Sequence, residues 1–358
     1  MALQTVSTTH ELAAKVWSKG LEAEFLKKVS VPHFIGKSSD SLIQHRDNLE
    51  KEAGDRDRVG LRLQDSVAPL TSGQAVETNE LALRSKYMDI TLDEFVHAYR
   101  WANVTDRQRV TYEHRDEARA ALADLLANAW DTSFFNQIAG NADPGGNATF
   151  EGNNTINVPT EHIFAAGKAN EAALASTDTF TLDLISEAVQ TAKTRSVGTI
   201  RPARIPGYST PLFVCFLHPW QVDSLRTADS RWDKVMHSAM QGGQIGDNPL
   251  ITGALGVWDG TLLCENNRVP ASATAPASGA LVRRAILCGA QSAMCVYGRI
   301  GGSADRYRWV EKLFDFDREM GVAGGFVAGI KKSQFEDENG GGSKLDFGTV
   351  VISTVTSA

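Results

Sequence analysis

Cysteine is scarce in this chain. Only Cys215, Cys264, Cys288 and Cys295 occur among 358 residues, each inside an apolar run and none in a CxxC spacing. That pattern excludes a disulfide framework or a cysteine-ligated zinc site and fits reduced, buried thiols of a cytoplasmic protein. Basic charge is short as well. With 36 Lys and Arg against 43 Asp and Glu, the formal charge is −7. A chain that grips nucleic acid through its phosphates is thereby excluded, although one that merely encloses a polymer is not. No apolar run approaches the roughly 18 residues of a membrane-spanning helix. The opening MALQTVSTTHELAAKVW also lacks the basic segment and apolar core of a secretory signal. The eight histidines form no HExxH or HxxxH pair.

What is present is ordinary globular material, 42% hydrophobic and 22% charged, in a length that suits about two domains. Thr8 and Glu11 form a capping box ahead of Leu12, Val16, Leu21 and Phe25, an amphipathic helix at one end that docks on another surface. Pro32 and Gly36 end it, and a polar segment runs to Arg58. Period-two alternation at Val59, Leu61 and Leu63, and again at Met88, Ile90 and Leu92, predicts two strands. Between them Asp65 to Lys86 is a long polar connection, a length that usually marks a functional or disordered loop. Asp106 to Ile138 predicts a helix of about 50 Å. Its apolar face holds Ala118, Leu122, Leu125, Leu126, Ala129 and Phe135, and Gly140 ends it. Thr181 to Arg195 predicts a second helix with Leu182, Ile185, Ala188, Val189 and Ala192 on one side. The remainder mixes short strands with glycine-rich turns, so the fold class is α+β.

Residues 212–226, LFVCFLHPWQVDSLR, place Cys215, His218 and Asp223 within a few positions, the side-chain types of a thiol triad. The run LFVCFL reads instead as a strand buried on both faces. Cys215 and His218, three apart, then point in opposite directions. Pro219 starts a helix carrying Trp220, Val222 and Leu225. Two other motifs fall short. In GGFVAGIKKS, Gly324 and Gly329 are followed by Ile330 before Lys331, one residue out of phase for a phosphate loop. Asp315, Asp317 and Glu319 mimic a calcium loop, but Met320 stands where the sharp turn needs glycine. No catalytic, cofactor-binding or metal-ligating residue is therefore assigned.

An ordered series runs through the C-terminal half: LHPWQVDSLR, NPLITGALGVWDGTLLCE, RRAILCGAQSA and DFGTVVISTV. It resembles the major capsid protein family of the N4-like tailed bacteriophages. That resemblance implies an HK97-type capsid fold, with an N-terminal arm, an extended β-hairpin loop, a long spine helix, and peripheral and axial domains. On this reading the arm is 1–55, the loop and its flanking strands 56–104, and the spine helix and peripheral region 105–205. The axial region is 206–290, and strands completing the peripheral and axial domains occupy 291–358. The implied function is a self-assembling icosahedral shell of pentamers and hexamers. It would enclose double-stranded DNA without specific binding and form in the bacterial host cytoplasm, with portal, scaffold and decoration proteins as candidate partners and with no membrane and no cofactor. Lys86 is the single lysine between Arg56 and Thr105, at the base of the loop, so no loop lysine stands ready for the covalent cross-link some capsids of this fold make. The alternatives are an encapsulin-type nanocompartment shell, which shares the fold, and a cytosolic hydrolase.

Overall fold

A computed structural model describes residues 34–62, 85–101, 113–141, 154–233, 255–298, 306–337 and 344–356. Excepted are 52–53, 196–197, 207, 209, 273–275, 277–278 and 316–317, and single residues of 21–31 and 70–80 are also described. In chain order the strands are β1 (Ile35–Gly36), β2 (Ile43–Arg46), β3 (Arg56–Arg62), β4 (Ser85–Thr91), β5 (Asp93–Trp101) and β6 (His162–Phe164). They continue with β7 (Phe213–Leu217), β8 (Gly256–Trp258), β9 (Thr261–Glu265), β10 (Leu281–Cys288) and β11 (Ala293–Tyr297). The last are β12 (Tyr307–Phe314), β13 (Glu319–Lys332), β14 (Gln334–Asp337), β15 (Leu345–Asp346) and β16 (Thr349–Thr356). The longer helices are α1 (His114–Ala139), α2 (Leu182–Thr194) and α3 (Pro219–Ala228). None is long and apolar enough to cross a membrane.

Strand β7 shows how the sequence builds the first sheet. All five residues are buried, and alternation sends them into two separate cores. Phe213, Cys215 and Leu217 join α2 and α3 on one face; Val214 and Phe216 join α1 on the other. The sheet runs β6-β16-β10-β7-β9-β8, with β7 parallel to β9 and antiparallel to β10. Helix α2 buries Leu182, Leu184, Ile185, Ala188, Val189 and Ala192, the apolar stripe expected plus Leu184. In α3, Val222 and Leu225 are buried while Trp220 is 38% exposed, so the third apolar position expected there faces outward. Phe216 receives Phe135 of α1 edge-on at 5.4 Å and Phe34 at 5.7 Å.

A second sheet centres on β13, which pairs antiparallel with β12, β5 and β11; β2 lies parallel to β11 and to β1. Its inner face carries Val322, Phe326, Ala328 and Ile330 into the core shared with α1. Leu21 and Phe25 dock there too. Phe25 lies 5.4 Å from the Tyr307 ring and 5.2 Å from that of Phe326, and burying such a side chain stabilises by about 1.5–3 kcal/mol. The docking helix expected at one end is thus represented by its last residues; Thr8, Glu11, Leu12 and Val16 lie outside the described part. A smaller sheet, β15-β14-β4-β3, contains the β3–β4 ribbon, paired from Arg56↔Thr91 to Arg62↔Ser85.

Helix α1 joins the two large sheets. It spans 26 residues, about 39 Å at 1.5 Å per residue. At its start Arg115 pairs with Glu311 of β12 at 2.7 Å and the Trp101 ring of β5 meets His114; its end lies under β7. The helix begins after Glu113, later than the Asp106 start expected, and Asp106 itself falls outside the described residues. Its last ten residues are buried all round apart from Thr132, including Asp131, Asn136 and Gln137. A single apolar face therefore describes only its first half. Gly140 terminates it in the left-handed region at φ 59°, with its N–H donating to Gln137 O and that of Asn141 to Asn136 O.

Candidate assembly surfaces

The thiol-triad reading fails on geometry. Cys215 is fully buried in the core beneath α2 and α3, and burial, with Cys288 and Cys264 nearby, pushes its thiol well above the ordinary range. His218 caps α3 instead: its Nδ1 accepts from the Trp220 N–H at 3.2 Å, while its own N–H donates to Gln221 Oε1 at 3.0 Å. Burial and then Arg283 lower its pKa to about 4. Asp223 is exposed on α3. The three are not brought together.

A polar trio that no local motif announces does come together. His162 Nε2 lies 2.7 Å from Ser353 Oγ, and Ser353 Oγ–H donates to Glu171 Oε1 at 2.6 Å. Because the serine proton goes to the carboxylate, the imidazole must donate to the serine oxygen rather than take its proton. A base that donates cannot activate its nucleophile, so these are the residues of a hydrolytic triad in the wrong order. The phosphate-loop mimic is likewise structural. Gly324 to Lys332 are all strand, and Gly324 lies against Leu21 and Leu122. Of the calcium-loop mimic, Asp315 pairs with Arg318 at 3.5 Å and Glu319 with Arg100, while Asp317 is outside the described residues.

The unusual feature of the surface lies elsewhere. Register places Glu94, Val96, Ala98 and Arg100 of β5 and Arg308, Val310 and Lys312 of β12 on the outer face of β13, away from α1. Val96 is 50% exposed and Val310 37%, with Ala98 open between them. On the connection between β3 and β4, Leu70 and Val76 are 41% and 68% exposed; Val67, Leu81 and Leu83 lie outside the described residues. Lys86 sits in β4 and is buried within the subunit. Exposed apolar side chains thus stand on a sheet face, among Glu94, Arg100, Arg308 and Lys312, and on the connection between β3 and β4, as expected of a protein completed by neighbours.

The phage capsid protein family matches residues 5–358. The chain belongs to that family. A major capsid protein of Pseudomonas phage KPP25 is 27% identical over 379 residues, covering 94% of this chain and 93% of that protein. Among solved structures, the capsid of Ralstonia phage GP4 superposes with a TM-score of 0.78 at 27% identity, covering 100% of this chain and 99% of that one. The capsid of cyanophage Pam1, at 19% identity and TM-score 0.72 over 93% of each chain, shares the fold. This capsid protein has the α+β, HK97-type fold that the ordered motifs implied. It is the major capsid protein of a tailed phage and forms the shell of the virion by self-association. The encapsulin and hydrolase alternatives are set aside, since the relatives are phage capsids.

Proposed function

We propose that the subunit assembles as pentamers and hexamers of an icosahedral shell, with the β3–β4 ribbon of one copy and the outer face of the β5–β13–β12 sheet serving as contact surfaces between copies. The observation that carries this reading is that four of the seven exposed large apolar side chains among the described residues, Val96, Val310, Leu70 and Val76, fall on these two surfaces, the others being Val158, Trp220 and Leu313. Many modest contacts of this kind, repeated by symmetry, add up to a stable shell. The six-stranded sheet with α2 and α3 is the axial domain of this proposal, and the β13 sheet with the first half of α1 is the peripheral one. On this reading α2, which packs on the sheet containing β7, is counted with the axial region although it lies before residue 206. Double-stranded DNA is enclosed without specific binding, which the net charge of −7 favours. Assembly takes place in the bacterial host cytoplasm, with portal, scaffold and decoration proteins as candidate partners and no catalytic activity.

The test is replacement of residues 65–84 by a short Gly-Ser turn. The connection is polar in sequence, and its described residues Leu70 and Val76 are exposed, so its ordering entropy is repaid by a neighbour rather than by the subunit. The variant is expected to stay soluble with near-normal helix content by circular dichroism and to form no shells. Shells at wild-type yield would remove the ribbon from the assembly contacts.

A further inference from the structure

Glu171, 6% exposed, lies where the end of α1 meets the six-stranded sheet that contains β10 and β16. Arg284 of β10 grips it with two hydrogen bonds of 2.7 and 2.9 Å. Through its remaining nitrogen, Arg284 donates to Gly140 O at 2.9 Å and Ala139 O at 3.4 Å, the carbonyls left open at the helix C-terminus. Ser272 Oγ–H and Ser353 Oγ–H both donate to Glu171, each at 2.6 Å. One carboxylate thus orients the arginine that ties α1 to β10, and His162 of β6 abuts it with Nε2 3.8 Å from Glu171 Oε1.

We propose that this cluster is a proton-operated joint, in which protonation of His162 loosens the hold of the six-stranded sheet on the C-terminal end of α1. In the neutral ring Nε2–H donates to Ser353, whose hydroxyl is committed to Glu171. A second proton must go to Nδ1, for which no hydrogen bond is formed among the described residues. The charged groups facing the ring are Glu171 from the turn after β6, Arg284 from β10 and Lys332 from β13, the last paired with Asp346 of β15 at 3.0 Å. Protonation raises the cluster to three cations for two carboxylates inside the protein. It also gives Glu171 a second cation to follow, at the expense of its two bonds to Arg284. Burial lowers the His162 pKa to about 4, opposed by Glu171 and assisted by Arg284 and Lys332. Glu171 is pushed up by burial but held down to about 2 by Arg284 and the two serines, so it stays ionised while the histidine titrates. Arg195 and Glu161, 3.7 Å apart, stand beyond Asp346; burial raises the Glu161 pKa above its ordinary value, so Glu161 also takes up a proton on the way to pH 4, and the His162 variants separate its effect from that of the ring.

Hydrogen–deuterium exchange on assembled particles reads the joint, with protection corrected for the intrinsic pH dependence of exchange. Between pH 7 and pH 4, amides at 138–141 are expected to lose at least about tenfold of their protection. His162→Gln, which keeps a donor for Ser353 and cannot titrate, should match wild type at pH 7 and lose less than about a third of that at pH 4. His218→Asn, which removes the other histidine with a lowered pKa, should still show the full loss. If H162Q does not fold, H162N takes its place. Wild-type protection that persists at pH 4, or a loss equal in wild type and the non-titrating variant, overturns the proposal.

Discussion

Replacing Gly140 with alanine tests whether the end of α1 is as tightly constrained as its surroundings suggest. Two costs combine. The residue sits at φ 59°, ψ 37°, where a Cβ costs about 1–2 kcal/mol. That Cβ would also lie 2.5 Å from Pro159 Cδ and 2.7 Å from Asn157 O, and forcing atoms into a filled site costs typically about 1–3 kcal/mol. The expected loss is therefore about 2–5 kcal/mol. Gly260 supplies the control. It turns the β8–β9 hairpin at φ 70° with nothing within 4 Å of a Cβ, so Gly260→Ala carries the dihedral cost alone, about 1–2 kcal/mol. Urea unfolding of the purified protein, followed by tryptophan fluorescence, to which fully buried Trp130 contributes, reads both. A G140A loss no larger than that of G260A would show that the 157–159 segment does not press on the helix end, and the packing described for this joint would be wrong.

Two further outcomes follow from buried charge. Lys332 and Asp346 are 2% and 0% exposed and 3.0 Å apart, yet Asp346 also accepts from Gln334 Nε2 at 2.8 Å and Thr160 N at 2.7 Å. Asp346→Leu strands a buried ammonium and should cost about 3–5 kcal/mol. Lys332→Met leaves the carboxylate two donors and should cost less, and the double variant should recover most of the loss; additive costs in urea midpoints would contradict this. The second concerns acid. His218 has a folded pKa lowered from 6.5 to about 4. Its neutral form is therefore favoured by folding, and the stability it contributes is full above pH 6.5 and lost as pH falls through that window. His218→Asn, which caps a helix equally well without titrating, should flatten the fall in urea midpoint between pH 7 and pH 4; an unchanged fall would exclude the cap as its source.

The parts of this fold legible in the sequence are those whose signal is local. LFVCFL is apolar on every residue because β7 is covered on both faces, and the stripe of α2 is regular because one side meets one core. The β3–β4 ribbon keeps its alternation for the same reason. Strand β13 was only half legible, because the glycines of GGFVAGIKKS suit either turns or close strand packing; the strand uses them for close packing, and a Cβ on Gly325 would strike the carbonyl of Phe95. The polar end of α1 was equally opaque. Gln137 is tolerated in the core because it donates to Asn154 O at 2.8 Å, a partner with no helical relation to it. The Glu171 joint draws on residues up to 191 positions apart, a separation at which neither periodicity nor spacing carries information. Assembly surfaces were legible only as anomalies, in a connection too long and too polar for a monomer.

Electron microscopy of the purified protein shows whether this subunit is completed by copies of itself. Closed shells built of pentamers and hexamers are expected, with density from a neighbouring copy covering Val96 and Val310 and with Leu70 and Val76 against another subunit. A protein that stays monomeric across a wide range of concentration and salt, or shells in which those four side chains still face solvent, would contradict it.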